Sequence, residues 1–316
     1  TERHGTIRIY DKGKLSPAIS GLPSVYNAGQ GGLLDVMPHP DFNNNRWLYF
    51  TYSAGSATRN RLVLARATLF GEQLSQVKLL FEARPDKKWA YHFAGRMTFL
   101  PDRTLMFGVG DGSAYMEEAQ NLGTHLGSLV RLNDDGTVPA DNPFVHQPGA
   151  LPEIYSYGHR NPQGLFYDKK RNLLISNEHG PKGGDEINLI QAGVNYGWPA
   201  ITYGVDYSGD IISELTHKEG MAQPLLHWTP SIAPSSIQVY YGNEFPGLNG
   251  HLLNTTLKYQ ALRLVLVSGM GKELRVVAQQ THLKDQSERI RDIEVDDTGR
   301  ILLITDSGKL WRLSKN

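Results

Sequence analysis

The sequence predicts an all-β protein, and the β-propeller is the member of that class that fits it best. Short runs of β-type residues dominate the chain, and 33 glycines and 17 prolines separate them. No long segment keeps the apolar period of a helix. A weak internal repeat, made of a polar turn, a short apolar strand and a second turn, favours a propeller within the all-β class.

The repeat sets the expected number of blades. It occurs at residues 39–53, 100–112, 167–180, 241–258 and 295–308. Successive copies lie roughly 55 to 75 residues apart, about the length of one four-stranded blade with a long loop. The first residues, TERHGTIRIY, resemble the TDSGKLWRL of the last copy, so Thr1 aligns with Thr305. We therefore expect a six-bladed β-propeller of four-stranded antiparallel blades, with the N-terminal part of one blade missing from this chain.

We expect residues 1–316 to form a single propeller domain. A pair of β-sandwiches is the alternative fold, but its two cores would need a linker. No linker rich in Pro, Ser or Gly interrupts the sequence.

Composition excludes several classes of partner. The 32 basic and 32 acidic side chains balance, so no net charge attracts nucleic acid or a membrane surface. Cysteine is absent, which excludes disulfides and thiolate metal sites. No apolar run has transmembrane length, so we expect no membrane span. Any cationic site must therefore be local.

Residues 153–198 are the first candidate part of a functional site. They combine an arginine, two histidines, an acidic pair and an Asn-Tyr-Gly-Trp segment around one short strand. Backbone carbonyls of Gly180 and Pro181, together with oxygens of Asp185, Glu186 and Tyr196, could bind a hard cation such as calcium. An ordinary solvated acidic turn explains these residues equally well.

A histidine and a carboxylate form the second candidate. His92 lies between aromatic residues just before a strand, where an imidazole could act as a general base. Asp111 ends the next strand and could orient that imidazole. The glycine cluster NAGQGGLL could free Gln30 to face a ligand. Taken singly, a core histidine and a tight turn are the simpler interpretations.

Four cations form the third candidate. Arg289 and Arg291 are two residues apart, so they share one face of a strand. With Arg160 and Lys258 they would suit a polyanionic ligand, because buried cations without a partner are costly. The alternative is a set of surface charges paired with Asp292 and Glu288.

Eight segments together resemble one known family. They are GQGGLLDVMPHPDF, AGRMTFLPD, AQNLGTHLGSLVRLNDDGTVPADNPF, EIYSYGHRNPQGL, NEHGPKGGDEINLI, NYGWP, SIAPS and RIRDI. In this order, across nearly the whole chain, they resemble the soluble glucose and sorbosone dehydrogenases that use pyrroloquinoline quinone (PQQ), and most closely the aldose sugar dehydrogenase branch. The resemblance implies a six-bladed propeller, PQQ with calcium beside it, and a periplasmic or secreted protein.

The resemblance also implies roles for individual residues. His92 matches the general base, Asp111 the carboxylate near it, and Arg160 a residue beside the reactive carbonyl. The matched cofactor-binding residues are Gln30, Arg160, Asn161, Tyr207, Lys258, Arg289 and Arg291. The carbonyls of Gly180 and Pro181 match those that face the cofactor calcium, and Glu186 and Tyr196 match ligands of a second, structural calcium. The chain departs from the family at Ala94, where glycine is commoner, and Trp228 is left out because its spacing to the next motif differs by one residue.

The implied reaction is PQQ-dependent oxidation of an aldose sugar to its lactone, with hydride transfer to the quinone. The implied partners are aldose sugars and an unidentified electron acceptor, for a monomer or homodimer. A metal-dependent propeller lactonase is one alternative, although it leaves Lys258, Arg289 and Arg291 without a role. A binding propeller without catalytic activity is the other.

Overall fold

A computed structural model describes residues 1–315 and shows an all-β chain. Its strands divide into two compact units. Unit 1 comprises residues 1–161 and 192–198, and unit 2 comprises residues 162–191 and the chain from 199 onward.

Unit 1 contains two four-stranded antiparallel sheets and one small hairpin. The hairpin pairs β1 (Tyr10–Asp11) with β2 (Lys14–Leu15). Sheet 1 consists, in spatial order, of β3 (Leu33–Pro38), β4 (Trp47–Gly55), β5 (Asn60–Phe70) and β6 (Gln73–Glu82). Sheet 2 consists of β7 (Ala94–Phe99), β8 (Leu105–Val109), β9 (Ser128–Leu132) and β10 (Ile154–Tyr157). In each sheet, consecutive strands are neighbours, as in a propeller blade.

Unit 2 contains three sheets of the same meander type. Sheet 3 consists of β11 (Pro162–Asp168), β12 (Leu173–Glu178), β13 (Asp185–Ile190) and β14 (Leu226–Trp228). Sheet 4 consists of β15 (Pro234–Val239), β16 (Leu252–Thr256), β17 (Leu262–Ser268) and β18 (Arg275–His282). Sheet 5 has three strands, β19 (Ile290–Val295), β20 (Ile301–Thr305) and β21 (Leu310–Leu313).

The helices are short. The α-helix α1 is Phe42–Asn45, and the 3-10 helices are Met116–Gln120, Pro246–Leu248, Gly271–Glu273 and Lys284–Gln286. Within residues 1–315, none of them has the length and apolar character needed to cross a membrane.

The internal repeat corresponds to one structural unit: the turn between the first two strands of a sheet, followed by the second strand. Each copy contains one second strand, namely β4, β8, β12, β16 or β20. In three copies an aspartate (Asp102, Asp168 or Asp296) accepts the backbone N–H two residues further on, at 2.9 to 3.0 Å. Such Asx turns explain why the repeat keeps an acidic residue ahead of an apolar run.

The predicted number of six blades is wrong for residues 1–315, which form five sheets of blade size. The N-terminal half-copy forms a turn at Glu2–Thr6 with the same two hydrogen bonds as the turn at Thr305–Lys309. It then continues into a hairpin whose strands are two residues long, too short to make a blade. The structure also aligns Glu2, rather than Thr1, with Thr305. That a sixth blade begins before Thr1 stays a prediction, as does the single domain.

Apolar side chains pack between neighbouring sheets within each unit. In unit 1, Leu64 of β5 and Phe107 of β8 are fully buried in one apolar cluster. In unit 2, Ile187 of β13 and Leu252 of β16 share a second cluster, and Leu253 of β16 shares a third with Leu303 of β20. Neighbouring residues of β16 therefore face opposite clusters, as expected for a strand buried on both faces.

Candidate active site

Most of the predicted site residues occupy two equivalent positions in the sheets. Those that precede a first strand are Gln30, His92, Arg160, Asn161 and Arg289, and those that follow a second strand are Asp111, Gly180, Pro181 and Lys258. In an antiparallel pair these two positions lie side by side, as the pairings Ala94 with Val109 and Pro162 with Glu178 show. Each sheet therefore presents its candidate residues at one end.

In unit 1 the structure brings His92 and Asp111 together. The His92 Nδ1 atom lies 2.7 Å from Asp111 Oδ1, and the two residues are 6% and 0% exposed. Because a carboxylate accepts, Nδ1 is the protonated nitrogen and Nε2 keeps its lone pair. Burial lowers the pKa of His92, whereas Asp111 acts in the opposite direction. The imidazole is therefore neutral at pH 7 and can accept a proton.

Asp111 is the centre of this cluster. Its Oδ1 atom also accepts the Ser113 backbone N–H at 2.7 Å, and its Oδ2 atom accepts the Trp198 indole N–H at 2.8 Å. Its own backbone N–H donates to the Arg160 carbonyl at 2.8 Å. Three donors on one buried carboxylate fix its orientation. Trp198 lies in the NYGWP segment, but nothing in the sequence alone indicates this contact.

Arg160 and Asn161 lie beside the same cluster. The guanidinium carbon of Arg160 is 5.2 Å from the centre of the Trp198 ring. Asn161 is 2% exposed, and its Oδ1 atom is buried without a hydrogen-bond partner among the described residues. A buried amide oxygen without a partner is costly, and a polar ligand would remove that cost.

Gln30 holds the backbone at His92. The side-chain Oε1 atom of Gln30 accepts the backbone N–H of His92 at 2.8 Å, and the backbone N–H of Gln30 donates to the Ala90 carbonyl at 2.7 Å. His92 and Ala94 have positive φ angles of 47° and 58°. Glycine adopts this conformation at lower cost than alanine, which gives a physical reason for the family preference at position 94.

In unit 2 the Gly180–Pro181 turn is tight. A Cβ atom on Gly180 would lie 2.3 Å from the Gly183 carbonyl oxygen, so only glycine fits. Asp185 accepts the Gly180 N–H and three further donors, from Ser231, Ile232 and Ala233, at 2.6 to 2.9 Å. Its oxygens therefore stabilise two loops, and their part in binding a cation stays a prediction.

Glu186 faces a second carboxylate across the sheet. Glu178 of β12 pairs with Glu186 of β13, and one Asn188 amide nitrogen donates to both carboxylates at 3.0 Å. Burial is the larger cause that raises the pKa of Glu186 to about 8, and repulsion from Glu178 is the second. Adjacent carboxylates that share one donor would be stabilised by a hard cation. No group of three or more His, Asp or Glu side chains in residues 1–315 has metal-binding geometry.

Tyr196, in unit 1, is 5% exposed, and its ring stacks on His159 at 4.6 Å. Its side chain therefore belongs to the packing of unit 1, and only its backbone carbonyl would serve as a ligand. In unit 2, the indole N–H of Trp228 donates to Gln279 at 2.8 Å. Trp228 belongs to a core cluster.

Arg289 and Arg291 share one carboxylate, that of Asp306. Their Nε atoms lie 2.8 Å from its two oxygens. The alternative was that both arginines pair with Glu288 and Asp292. In the structure their carboxylate partner is Asp306, and Glu288 accepts from Lys309. Two guanidinium groups against one carboxylate leave this cluster with a net positive charge.

The last two predicted cofactor residues, Lys258 and Tyr207, are exposed in unit 2, and Tyr207 is 70% exposed. Among residues 1–315 neither side chain has a hydrogen-bond or ion-pair partner, so their roles rest on the resemblance.

Comparison with known proteins places the chain in a family. The sequence profile described as Glucose / Sorbosone dehydrogenase matches residues 1–312. The chain belongs to the glucose/sorbosone dehydrogenase family. Within this family it is 38% identical to aldose sugar dehydrogenase YliI of Escherichia coli strain K12, over 99% of this chain and 85% of that protein.

The fold is also similar to solved structures of glucose and aldose sugar dehydrogenases. A glucose dehydrogenase crystal structure superimposes with a TM-score of 0.95 at 37% identity, covering 100% of this chain and 92% of the other. The PQQ-bound form of aldose sugar dehydrogenase from Streptomyces coelicolor has a TM-score of 0.78 at 27% identity, covering 99% and 89%. All candidate residues fall inside the region that matches the glucose/sorbosone dehydrogenase family.

Proposed function

We propose that this chain is a PQQ-dependent aldose sugar dehydrogenase that oxidises aldoses to lactones, with His92 as the general base. The buried pair of His92 and Asp111 carries this proposal, because it provides a neutral, oriented imidazole within the electrostatic influence of Arg160. Family membership and the PQQ-bound relative support the reaction class.

The residues present fit a cofactor of PQQ chemistry, an ortho-quinone with three carboxylates. The Asn161 amide oxygen is buried without a partner in the described chain, which suits a polar ligand. Arg289 and Arg291 keep a net positive charge beside Asp306, which suits carboxylates. Bound PQQ would supply a two-electron acceptor. Gln30, Tyr207 and Lys258 are proposed as further contacts.

The chain's own residues act on the substrate proton. His92 Nε2 takes the proton from the anomeric hydroxyl of the sugar as hydride leaves the same carbon, which gives the lactone. Asp111 accepts from Nδ1–H throughout and stabilises the imidazolium that forms. Arg160 provides positive charge where negative charge develops.

We propose calcium as the metal. The carbonyls of Gly180 and Pro181 would hold one ion, and Glu186 with the Tyr196 carbonyl would hold a second, structural ion. The donor chemistry fits, because calcium takes carboxylate and carbonyl oxygens in flexible geometry. An ion next to Glu186 would offset its repulsion from Glu178. Calcium near the cofactor would act as a Lewis acid.

The proposed substrates are aldose sugars, and electrons would pass to a separate acceptor. We further propose a periplasmic or secreted location and a monomer or homodimer, in accordance with the family resemblance. Nucleic acid is not among the proposed partners, since the charges of the chain balance.

Reconstitution tests the proposal. PQQ and calcium are added to metal-stripped protein, and reduction of an artificial dye is followed with a panel of aldoses. We expect sugar-dependent reduction that needs both additions. Tight PQQ binding without turnover on any aldose would contradict the proposed substrate class. Absence of PQQ binding would overturn the dehydrogenase and favour the lactonase or the binding propeller.

A further inference from the structure

A buried lysine contacts the backbone next to His92, the candidate base. It belongs to none of the sequence motifs and has no role in the proposed reaction. Lys87, in the segment between β6 and β7, is 3% exposed. Its backbone pairs with Asn60, accepting and donating at 2.9 Å, which fixes the lysine against sheet 1. A lysine is almost never this buried unless its ammonium group is fully bonded.

The ammonium group of Lys87 has three acceptors. Its Nζ atom donates to Asn60 Oδ1 at 3.0 Å, to the Trp89 carbonyl at 2.6 Å and to the Tyr91 carbonyl at 2.7 Å. It also lies 3.4 Å from the centre of the Phe93 ring. Three acceptors can be satisfied at once only by the protonated form, since a neutral amine has two N–H groups.

These contacts surround the strained backbone at His92. The Tyr91 carbonyl belongs to the peptide that enters His92, whose φ of 47° is rare for a residue other than glycine. On this short segment, Lys87 binds the carbonyls of residues 89 and 91. Gln30 binds the carbonyl of residue 90 and the N–H of His92. Lys87 and Gln30 therefore bind successive backbone groups of residues 89–92 in turn, and together they hold this segment in place.

The surroundings of Lys87 connect it to the same site. Its side-chain stem packs on Gly112, next to Asp111, where a Cβ atom would lie 2.8 Å from Lys87 Cδ. Burial lowers the pKa of Lys87 to about 7, whereas the Asp111 charge opposes this shift, and the three acceptors on Nζ also favour the ammonium form. Lys87 also lines a small cavity, and the other charged or titratable side chains that line this cavity are His92 and Arg61.

We propose that Lys87 is a positioning residue for proton abstraction: its ammonium group holds the Trp89 and Tyr91 carbonyls, and so keeps His92 in the conformation in which Nδ1 contacts Asp111. The catalytic part of this role rests on the proposed function. The effect of Lys87 on the conformation of His92 does not depend on a cofactor. Lys87 does not touch the reacting atoms.

The test compares Lys87→Met with Lys88→Met, a matched change at the neighbouring exposed lysine. The first readout needs no cofactor: the downfield proton NMR signal of the His92 Nδ1–H bonded to Asp111, assigned by its loss in His92→Gln. We expect Lys87→Met to fold and to lose or shift this signal, with a lower unfolding midpoint because three acceptors lose their donor. Lys87→Arg, which keeps a charged donor, should restore it in part, and Lys88→Met should leave it unchanged.

The second readout is turnover of PQQ-reconstituted protein. We expect kcat to fall about tenfold to hundredfold in Lys87→Met, the range for a misplaced catalytic group, with PQQ affinity and KM within about threefold. An unchanged NMR signal in Lys87→Met overturns the positioning role, whatever the activity. A lost signal in a protein that never oxidises sugars keeps that role and overturns the dehydrogenase instead.

A third variant, Lys87→Gln, covers the case in which Lys87→Met does not fold, because its amide keeps one donor without the charge. If neither variant folds, Lys87 serves stability rather than positioning, and the proposal is wrong.

Discussion

Replacing Asp111 by asparagine tests the centre of the candidate site. The change keeps the shape of the side chain but removes its charge and one acceptor. Three N–H groups now converge on the carboxylate: His92 Nδ1 and the Ser113 backbone on Oδ1, and the Trp198 indole on Oδ2. An asparagine must turn its NH2 group toward one of these two sides.

Either orientation of the new amide carries a penalty. If its NH2 group faces Trp198, two donors meet in a buried site, which costs about 1–3 kcal/mol. If it faces His92, Nδ1 must become the acceptor, so Nε2 is protonated and cannot act as a base. In both cases the imidazolium loses its counter-charge, an interaction of about 4 kcal/mol for charge centres about 4 Å apart at an effective dielectric constant of about 20.

The expected loss in transition-state stabilisation is about 3–5 kcal/mol, so kcat should fall about 10²–10⁴-fold. Stopped-flow reduction of PQQ-reconstituted protein by glucose measures this rate, with PQQ affinity and the unfolding midpoint determined in parallel. Asp11→Asn, at an exposed aspartate of β1, is the control. A rate within about threefold of the unmodified protein, with PQQ bound, would refute the assigned role of Asp111.

Three further predictions concern the acid limb, a structural carboxylate and a cation. Because the pKa of His92 is lowered, its protonation should begin only at lower pH, so the acid limb of kcat/KM should have its midpoint below 6.5, and a midpoint above this value contradicts the prediction. Asp185→Ala leaves four donors without their acceptor and should lower the free energy of unfolding by about 3 kcal/mol or more in urea titrations, whereas exposed Glu219→Ala should change it by less than about 0.5 kcal/mol. Arg291→Met should weaken PQQ binding about tenfold to hundredfold by fluorescence titration, because a charge-assisted hydrogen bond contributes about 1.5–3 kcal/mol. Its ion pair is exposed, so stability should change by at most about 1 kcal/mol, and equal PQQ affinity in Arg291→Met and the control Arg275→Met would contradict a cofactor role.

The secondary structure was readable from the chain because its signals are local. Asx turns at Asp102, Asp168 and Asp296 are set by side chains two residues from the groups they bind. Apolar runs that follow them form the second strand of each sheet. The number of blades was not readable in the same way, since a repeat of turn and strand does not reveal whether the N-terminal residues find partners for a whole sheet.

The candidate site was partly readable for a similar reason. His92, Asp111 and the arginine pair stand out because polar residues at strand ends interrupt apolar runs. Lys87 gave no such signal, since a lysine next to another lysine usually lies on the surface.

The sequence by itself determined the all-β class, the five turn-and-strand units, the balance of charge and the residue types available at the strand ends. Only the tertiary structure decided the partners: the Trp198 indole on Asp111, Asp306 between the two arginines, and the Lys87 ammonium group behind His92. The physical reason is the distance along the chain over which the interactions act. Turns and strands follow from interactions between near neighbours, whereas burial, pKa and charge pairing depend on contacts between residues that are distant in the chain.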